Sequence, residues 1–190
     1  MNAACFYTKN IARVVICSIG IMATEHAAAQ KCAIRLSEST MNFGRIIAPG
    51  SSAPQPVGNL HPLGSRMVGL NASCPTSATP MLVMHGEAYA DQFKFARSGH
   101  VRVQLSNALL DGRRVDLAQA SSGTAAPDRY GSSIEAMPGD RIIPISGGLP
   151  AQGSVLSLQV EIRPLLPTSE LRTRDAKTLE AHLAFQVQGF

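Results

Sequence analysis

From residue 32 onward, apolar and polar side chains alternate over short stretches and almost never recur at the three-and-four spacing of a buried helix face. Alternation of this kind, cut by Gly, Pro, Ser and Asn, marks half-buried antiparallel strands. It predicts strands at residues 33–36, 41–47, 67–74, 81–85, 100–105, 141–145, 154–163 and 178–190. In residues 100–105, Val101, Val103 and Leu105 share one face. Leu156, Leu158, Val160 and Ile162 form the strongest inner row. Asp111-Gly112, between Leu109-Leu110 and Val115-Asp116-Leu117, predicts a hairpin turn. Residues 48–64 carry four Pro and three Gly and read as a loop. Residues 118–133, rich in Ala, Ser and Gly, read as a mobile loop, and residues 165–173 as irregular or briefly helical. Roughly seven to nine short strands separated by turn signals imply an all-β chain folded as a two-sheet sandwich or a barrel.

The first thirty residues follow another logic. Lys9 and Arg13 come with no acid, residues 14–23 form a ten-residue apolar run, and Ala27-Ala28-Ala29 supplies the small side chains that signal peptidase reads. These are the three regions of a secretory signal. The apolar run is too short for a membrane helix, which needs about 20 residues. The expected division is therefore a signal at 1–29, cleaved after Ala29, and one domain at 30–190. An uncleaved anchor is the alternative reading. Cleavage after Gly20 would leave an eleven-residue arm, 21–31, but would truncate the apolar region.

Cleavage after Ala29 changes the cysteine count, because Cys5 and Cys17 depart and only Cys32 and Cys74 stay. In an oxidising compartment the simplest use of two thiols is one disulfide, with two free or separately paired cysteines as the alternative. Closing a loop of this length is worth about 4 kcal/mol in the chain-entropy model.

Composition narrows the function more than it identifies it. The whole chain carries 17 Lys and Arg against 13 Asp and Glu, a formal charge of +4, but the basic residues are scattered and the longest run is Arg113-Arg114. No basic face for nucleic acid is legible. There is no Gly-x-Ser-x-Gly elbow and no Cys-x-x-Cys, and His26, His61, His85, His100 and His182 stand apart. Ser121-Ser122-Gly123 and Ser146-Gly147-Gly148 lack the helix and Lys of a phosphate loop and read as turns. The expectation is a protein that is not an enzyme and uses no cofactor or metal. Asn71-Ala72-Ser73 matches a glycosylation sequon too short to carry weight.

The most informative constellation is the order of events at the two ends. Cys32 opens a strand, Asn42-Phe43-Gly44 follows ten residues later, a Pro/Gly-rich stretch intervenes, and Cys74 closes the strand begun at Met67. At the far end Leu179, Ala181, Leu183, Phe185 and Val187 alternate with polar residues, apart from Ala184, and the chain finishes Gly189-Phe190. This order resembles the pilin subunits of bacterial chaperone/usher fimbriae and the related spore coat protein U domains. The resemblance rests on Cys32, Phe43-Gly44, Cys74, Phe185, Val187 and Phe190, and covers residues 32–74 and 178–190.

The resemblance implies an immunoglobulin-like sandwich lacking its final strand, with a hydrophobic groove beside the C-terminal strand. It implies export to the periplasm and assembly into a cell-surface fimbrium supporting adhesion. The partners would be a periplasmic chaperone, an outer-membrane usher, neighbouring fimbrial subunits and a possible host receptor. Leu179, Ala181, Leu183, Phe185 and Val187 would form the groove edge. Two features depart from the family: cleavage after Ala29 leaves only Gln30-Lys31 before the first cysteine, and Gly189 stands where a penultimate aromatic is expected. A second reading is a self-contained secreted sandwich binding a glycan or host surface, against which the absence of Trp argues. N-terminal sequencing of the exported protein is expected to begin at Gln30; a start at Ile21 would restore an arm.

Overall fold

A computed structural model describes residues 32–44, 58–121, 126–171 and 178–190. The strands in chain order are β1 (Ala33–Leu36), β2 (Leu60–Pro62), β3 (Arg66–Ala78), β4 (Pro80–Gly86), β5 (Ala88–Tyr89), β6 (Gln92–Phe95), β7 (Gly99–Leu110), β8 (Arg113–Arg114), β9 (Asp116–Ala120), β10 (Arg129–Gly131), β11 (Ser133–Ala136), β12 (Arg141–Ser146), β13 (Leu149–Pro150), β14 (Gly153–Pro167) and β15 (Leu183–Gly189). A single helical turn, α1 (Thr168–Leu171), follows β14.

Every pairing is antiparallel, and the strands form two sheets. The larger sheet runs β1-β3-β14-β7-β6-β5, with β2 on β14 and with β8 and β11 on β7. The smaller runs β10-β9-β12-β4-β15, with β13 on β12. Alternation places one side-chain row of each strand in the space between the sheets. From the larger sheet that row supplies Val68, Leu70, Leu105, Leu158 and Val160, and from the smaller one Leu82, Met84, Leu117, Ile142 and Val187. The result is a sandwich around one hydrophobic core.

Where the strands differ from the sequence reading, local backbone chemistry explains it. β3 does not stop at Cys74 but continues through Pro75 to Ala78, and β14 runs through Pro164 to Pro167 before α1 begins. Neither β1 nor β2 reaches that end of β3, and β1 pairs it only from Leu70 to Ser73. Of the expected loop at 48–64, residues 60–62 form β2. The expected mobile loop at 118–133 holds β9, whose Leu117, Ala118, Gln119 and Ala120 are buried, and β10. Small alanines pack there without giving an apolar run. Gln119 donates to the Asp140 carboxylate, which also accepts from Met137 N at 2.7 Å.

Two further departures are turns. β7 extends past Leu105 because a bulge at Asn107 (φ 52°) resets its phase, so that Ala108 and Leu110 return to the core. The β5–β6 hairpin turns through Ala90 and Asp91, both at positive φ, with none of the usual Asn-Gly or Asp-Gly chemistry. The expected Asp111-Gly112 turn is present, both residues at positive φ. The Asp111 carboxylate also accepts from Val155 N at 2.8 Å, tying the turn to the start of β14. The signal assigned to 1–29 and residues 45–47 of the expected 41–47 strand lie outside the described residues, and 41–44 form no strand.

Phe93 is fully buried against Gly86, where an added Cβ would lie 2.7 Å from its ring. Phe93→Ala is expected to cost about 3–5 kcal/mol in urea denaturation followed by circular dichroism.

Candidate functional site

Cys32 and Cys74 form a disulfide. It fastens the start of β1 to β3, where Ala33 lies opposite Ser73. β1 is the terminal strand of the larger sheet and β15 the terminal strand of the smaller, and the two lie on the same side of the sandwich. They meet at the disulfide: a Cβ on Gly189 would lie 3.2 Å from Cys32 Sγ, 3.6 Å from Cys74 Sγ and 3.0 Å from Ala78 Cβ. A side chain at Gly189 would therefore be tight, and Ala78 and the disulfide would have to give by a few tenths of an ångström to admit it.

From that closed end β1 and β15 run antiparallel along an open seam. The far end is marked by Phe43, whose ring lies 5.7 Å from the Arg66 guanidinium at the start of β3. An Asx turn, in which Gly44 N donates to Asn42 Oδ1 at 2.7 Å, positions that ring, and Gly44 takes the positive φ (76°) that follows. The Phe-Gly element quoted in the sequence is thus a turn that packs an aromatic ring against one end of the seam.

Of the C-terminal residues singled out from the sequence, Leu183, Phe185 and Val187 lie on β15, whereas Leu179 and Ala181 precede it in the segment that passes beside β6. Leu179, Ala181, Leu183 and Phe185 are half-buried against the core, and Val187, next to the closed end, is buried. β15 begins only at Leu183; residues 178–182 lie outside the ladder, with Glu180 O accepting from Ala96 N at 3.1 Å. The lip opposite β15 is formed by Ile34 and Leu36 of β1 with Met41 and Phe43, all half-buried against the same core; of these the sequence reading singled out Phe43 alone. The alternation of residues 33–36 was the signal available for it. His182 is exposed, 3.9 Å from Glu180, and faces away from the core.

The backbone of the two lips is as informative as the side chains. Thr79 and Phe190 exchange both hydrogen bonds, N–H to carbonyl at 2.9 and 3.3 Å. Such mutually bonded pairs alternate along an antiparallel ladder. By the β4–β15 register, Gln188, Gln186 and Ala184 then turn their N–H and C=O toward β4, while Val187, Phe185 and Leu183 turn theirs toward the seam. On β1, Ser37 N donates to Gly69 O at 2.8 Å, so the groups of Arg35 point to β3 and those of Ile34 and Leu36 point into the seam. No described strand pairs with either of these edges.

The outer face of the larger sheet has a different chemistry. Arg163 lies opposite Arg102, and Glu161 and Glu135 lie on either side of Gln104. Arg163 bonds Glu161 at 2.7 Å and holds its carboxyl below the usual carboxylate range, and Arg102 lies 3.6 Å from Glu135. Among the described residues no three His, Cys, Asp or Glu side chains gather as metal ligands, and no helix is long and apolar enough to cross a membrane. No protein-family model matches the chain, and no curated protein matches it.

Gly189→Val is expected to destabilise the protein by about 1–3 kcal/mol through overpacking against the disulfide, read as a lower urea midpoint. An unchanged midpoint would show that β1 and β15 do not close on each other there.

Proposed function

We propose that this chain is an exported, non-enzymatic structural subunit of a surface fibre, whose sandwich is completed by an extended strand from another polypeptide. One observation carries the reading. Along β15 the same residues, Leu183, Phe185 and Val187, present an apolar row to the core and unpaired backbone groups to the seam, and Ile34 and Leu36 of β1 do the same from the other lip. A strand with alternating apolar residues fits both demands at once, because pairing with β15 inserts every second side chain between the lips. Strand addition of this kind draws affinity from main-chain hydrogen bonds and specificity from alternate side-chain pockets. The pilin resemblance of Cys32, Phe43-Gly44, Cys74 and the C-terminal row supports the same reading. It names the partners expected to lend the strand: a periplasmic chaperone in transit, then a neighbouring subunit delivered at an outer-membrane usher.

Long unpaired edges template association. Mature protein, residues 30–190, produced without a partner is expected to aggregate, and an alternating apolar peptide added during refolding is expected to keep it soluble. A soluble monomer with complete amide-exchange protection along β15 in the absence of peptide would falsify the proposal. In the complemented protein Phe185→Ala is expected to cost about 3 kcal/mol. Gln186→Ala, on the solvent side, is expected to change stability by less than about 0.5 kcal/mol.

A further inference from the structure

The two outer faces of the sandwich differ in kind. That of the larger sheet is the charged one around Gln104. On the smaller sheet the outward row is apolar: the registers of β10 on β9, β9 on β12 and β12 on β4 set Tyr130, Ala118, Ile143 and Met81 side by side, one from each of four strands. Alternation puts this row outside, because Leu117, Ile142 and Leu82, their chain neighbours, belong to the core. Tyr130 is 62% exposed, and Ile143, Met81 and the next outward residue of β4, Val83, are half-buried. A contiguous apolar row on an outer face, rimmed by charge, is the kind of surface that marks a protein–protein contact.

The rim indicates the partner. On β9, Asp116 stands two residues from Ala118 on one side of the row, beside Ile145; on β12, Arg141 stands two residues from Ile143 on the other side, beside Ala120. A half-turn about the row itself lays the face on a second copy of it. Tyr130, Ile143 and Met81 then meet their own counterparts, and Asp116 of each copy comes over the side that carries Arg141 of the other, one strand away. A face with that symmetry is complementary to itself.

We propose that the outer face of the smaller sheet is a contact between two copies of this chain, with the apolar row at its centre and two symmetry-related Asp116–Arg141 pairs at its rims. The inference goes beyond strand acceptance, because the seam lies at the edge of this sheet and not on its face. Four strands spaced about 4.8 Å apart make a strip well short of the roughly 800 Å² per partner of a standard interface. The contact is therefore weak between free subunits and strengthens where many copies are held side by side.

The test uses the mature chain, residues 30–190, with and without an alternating apolar peptide, so that association through the seam is recognised by its loss when peptide is added. Sedimentation equilibrium is expected to show a reversible dimer that persists with peptide. Asp116→Arg and Arg141→Asp are each expected to weaken it by about tenfold. An equimolar mixture of the two variants is expected to dimerise again, because the arginine introduced in one copy meets the aspartate introduced in the other; a pairing within one chain could not be restored by mixing. Ile143→Cys, which lies over its own counterpart, is expected to give a disulfide-linked dimer on mild oxidation, whereas Gln159→Cys, on the outer face of the larger sheet, is not. A chain that stays monomeric up to about 1 mM, a dimer abolished by the peptide, or equal cross-linking of the two cysteine variants would overturn the proposal. Failure of the peptide to keep the chain soluble would count against strand acceptance alone, since the cysteine comparison is read on the refolded protein without it.

Discussion

In an antiparallel strand, side-chain direction and hydrogen-bond direction are locked to the same two-residue period, and the seam depends on how that lock falls at β15. Because Phe190 and Thr79 exchange hydrogen bonds, the residues of β15 that reach the core are the ones whose backbone groups face the seam. Water can satisfy those groups only while it has access to the seam, and that access keeps Leu183 and Phe185 half-exposed. Moving the apolar row over the gap to exclude water would strand unpaired N–H and C=O groups, at a cost of about 1–3 kcal/mol each. A side chain from elsewhere in the chain can cover the apolar row but cannot satisfy a run of backbone groups. A strand does both.

The disulfide sets the geometry of this opening. β1 is four residues long and, among the described strands, pairs only with β3, so that ladder holds it weakly. The Cys32–Cys74 bond anchors its first residue, and Gly189 then lets β15 come against that bond without an intervening side chain. One end of the sandwich is thereby closed covalently and by contact. Arg66 over the Phe43 ring and the Asn42–Gly44 turn hold the far end of β1's lip where no strand pairing does.

Much of this was legible in the sequence because period-two alternation needs no tertiary information. Residues 33–36, 81–85 and 141–145 became strands, and of the C-terminal row Leu183, Phe185 and Val187 fell on the core-facing side of β15. What the pattern hid has physical causes. Asn107 inserts a residue into β7, so the run beginning at Val101 ended too early in the reading. Ala90-Asp91 makes a tight turn in which Asp91 tolerates positive φ but Ala90 does not favour it, so no Asn-Gly or Asp-Gly pair marked the turn between β5 and β6. In β9, alanines and a buried Gln119 bonded to Asp140 fill the core in place of branched side chains, and composition alone read them as a loop. The second lip was missed because pairing a row at the beginning of a chain with one at its end requires knowing which strands terminate the two sheets.

The strand-acceptor proposal requires that other surfaces invite a strand less readily, and the described residues meet that demand. The other terminal strands, β10 and β5, have three and two residues, too short to template a ladder, whereas β15 offers seven. The outer face of the larger sheet carries Arg102, Arg163, Glu135 and Glu161 around Gln104. As exposed ion pairs these contribute at most about 1 kcal/mol each to stability. Their greater effect is on association, since a second sheet laid on that face would have to desolvate four charges whose partners are already engaged. Among the described residues, the charged face and the short edges thus leave fewer competing ways of burying backbone and apolar surface, as the strand-acceptor proposal requires.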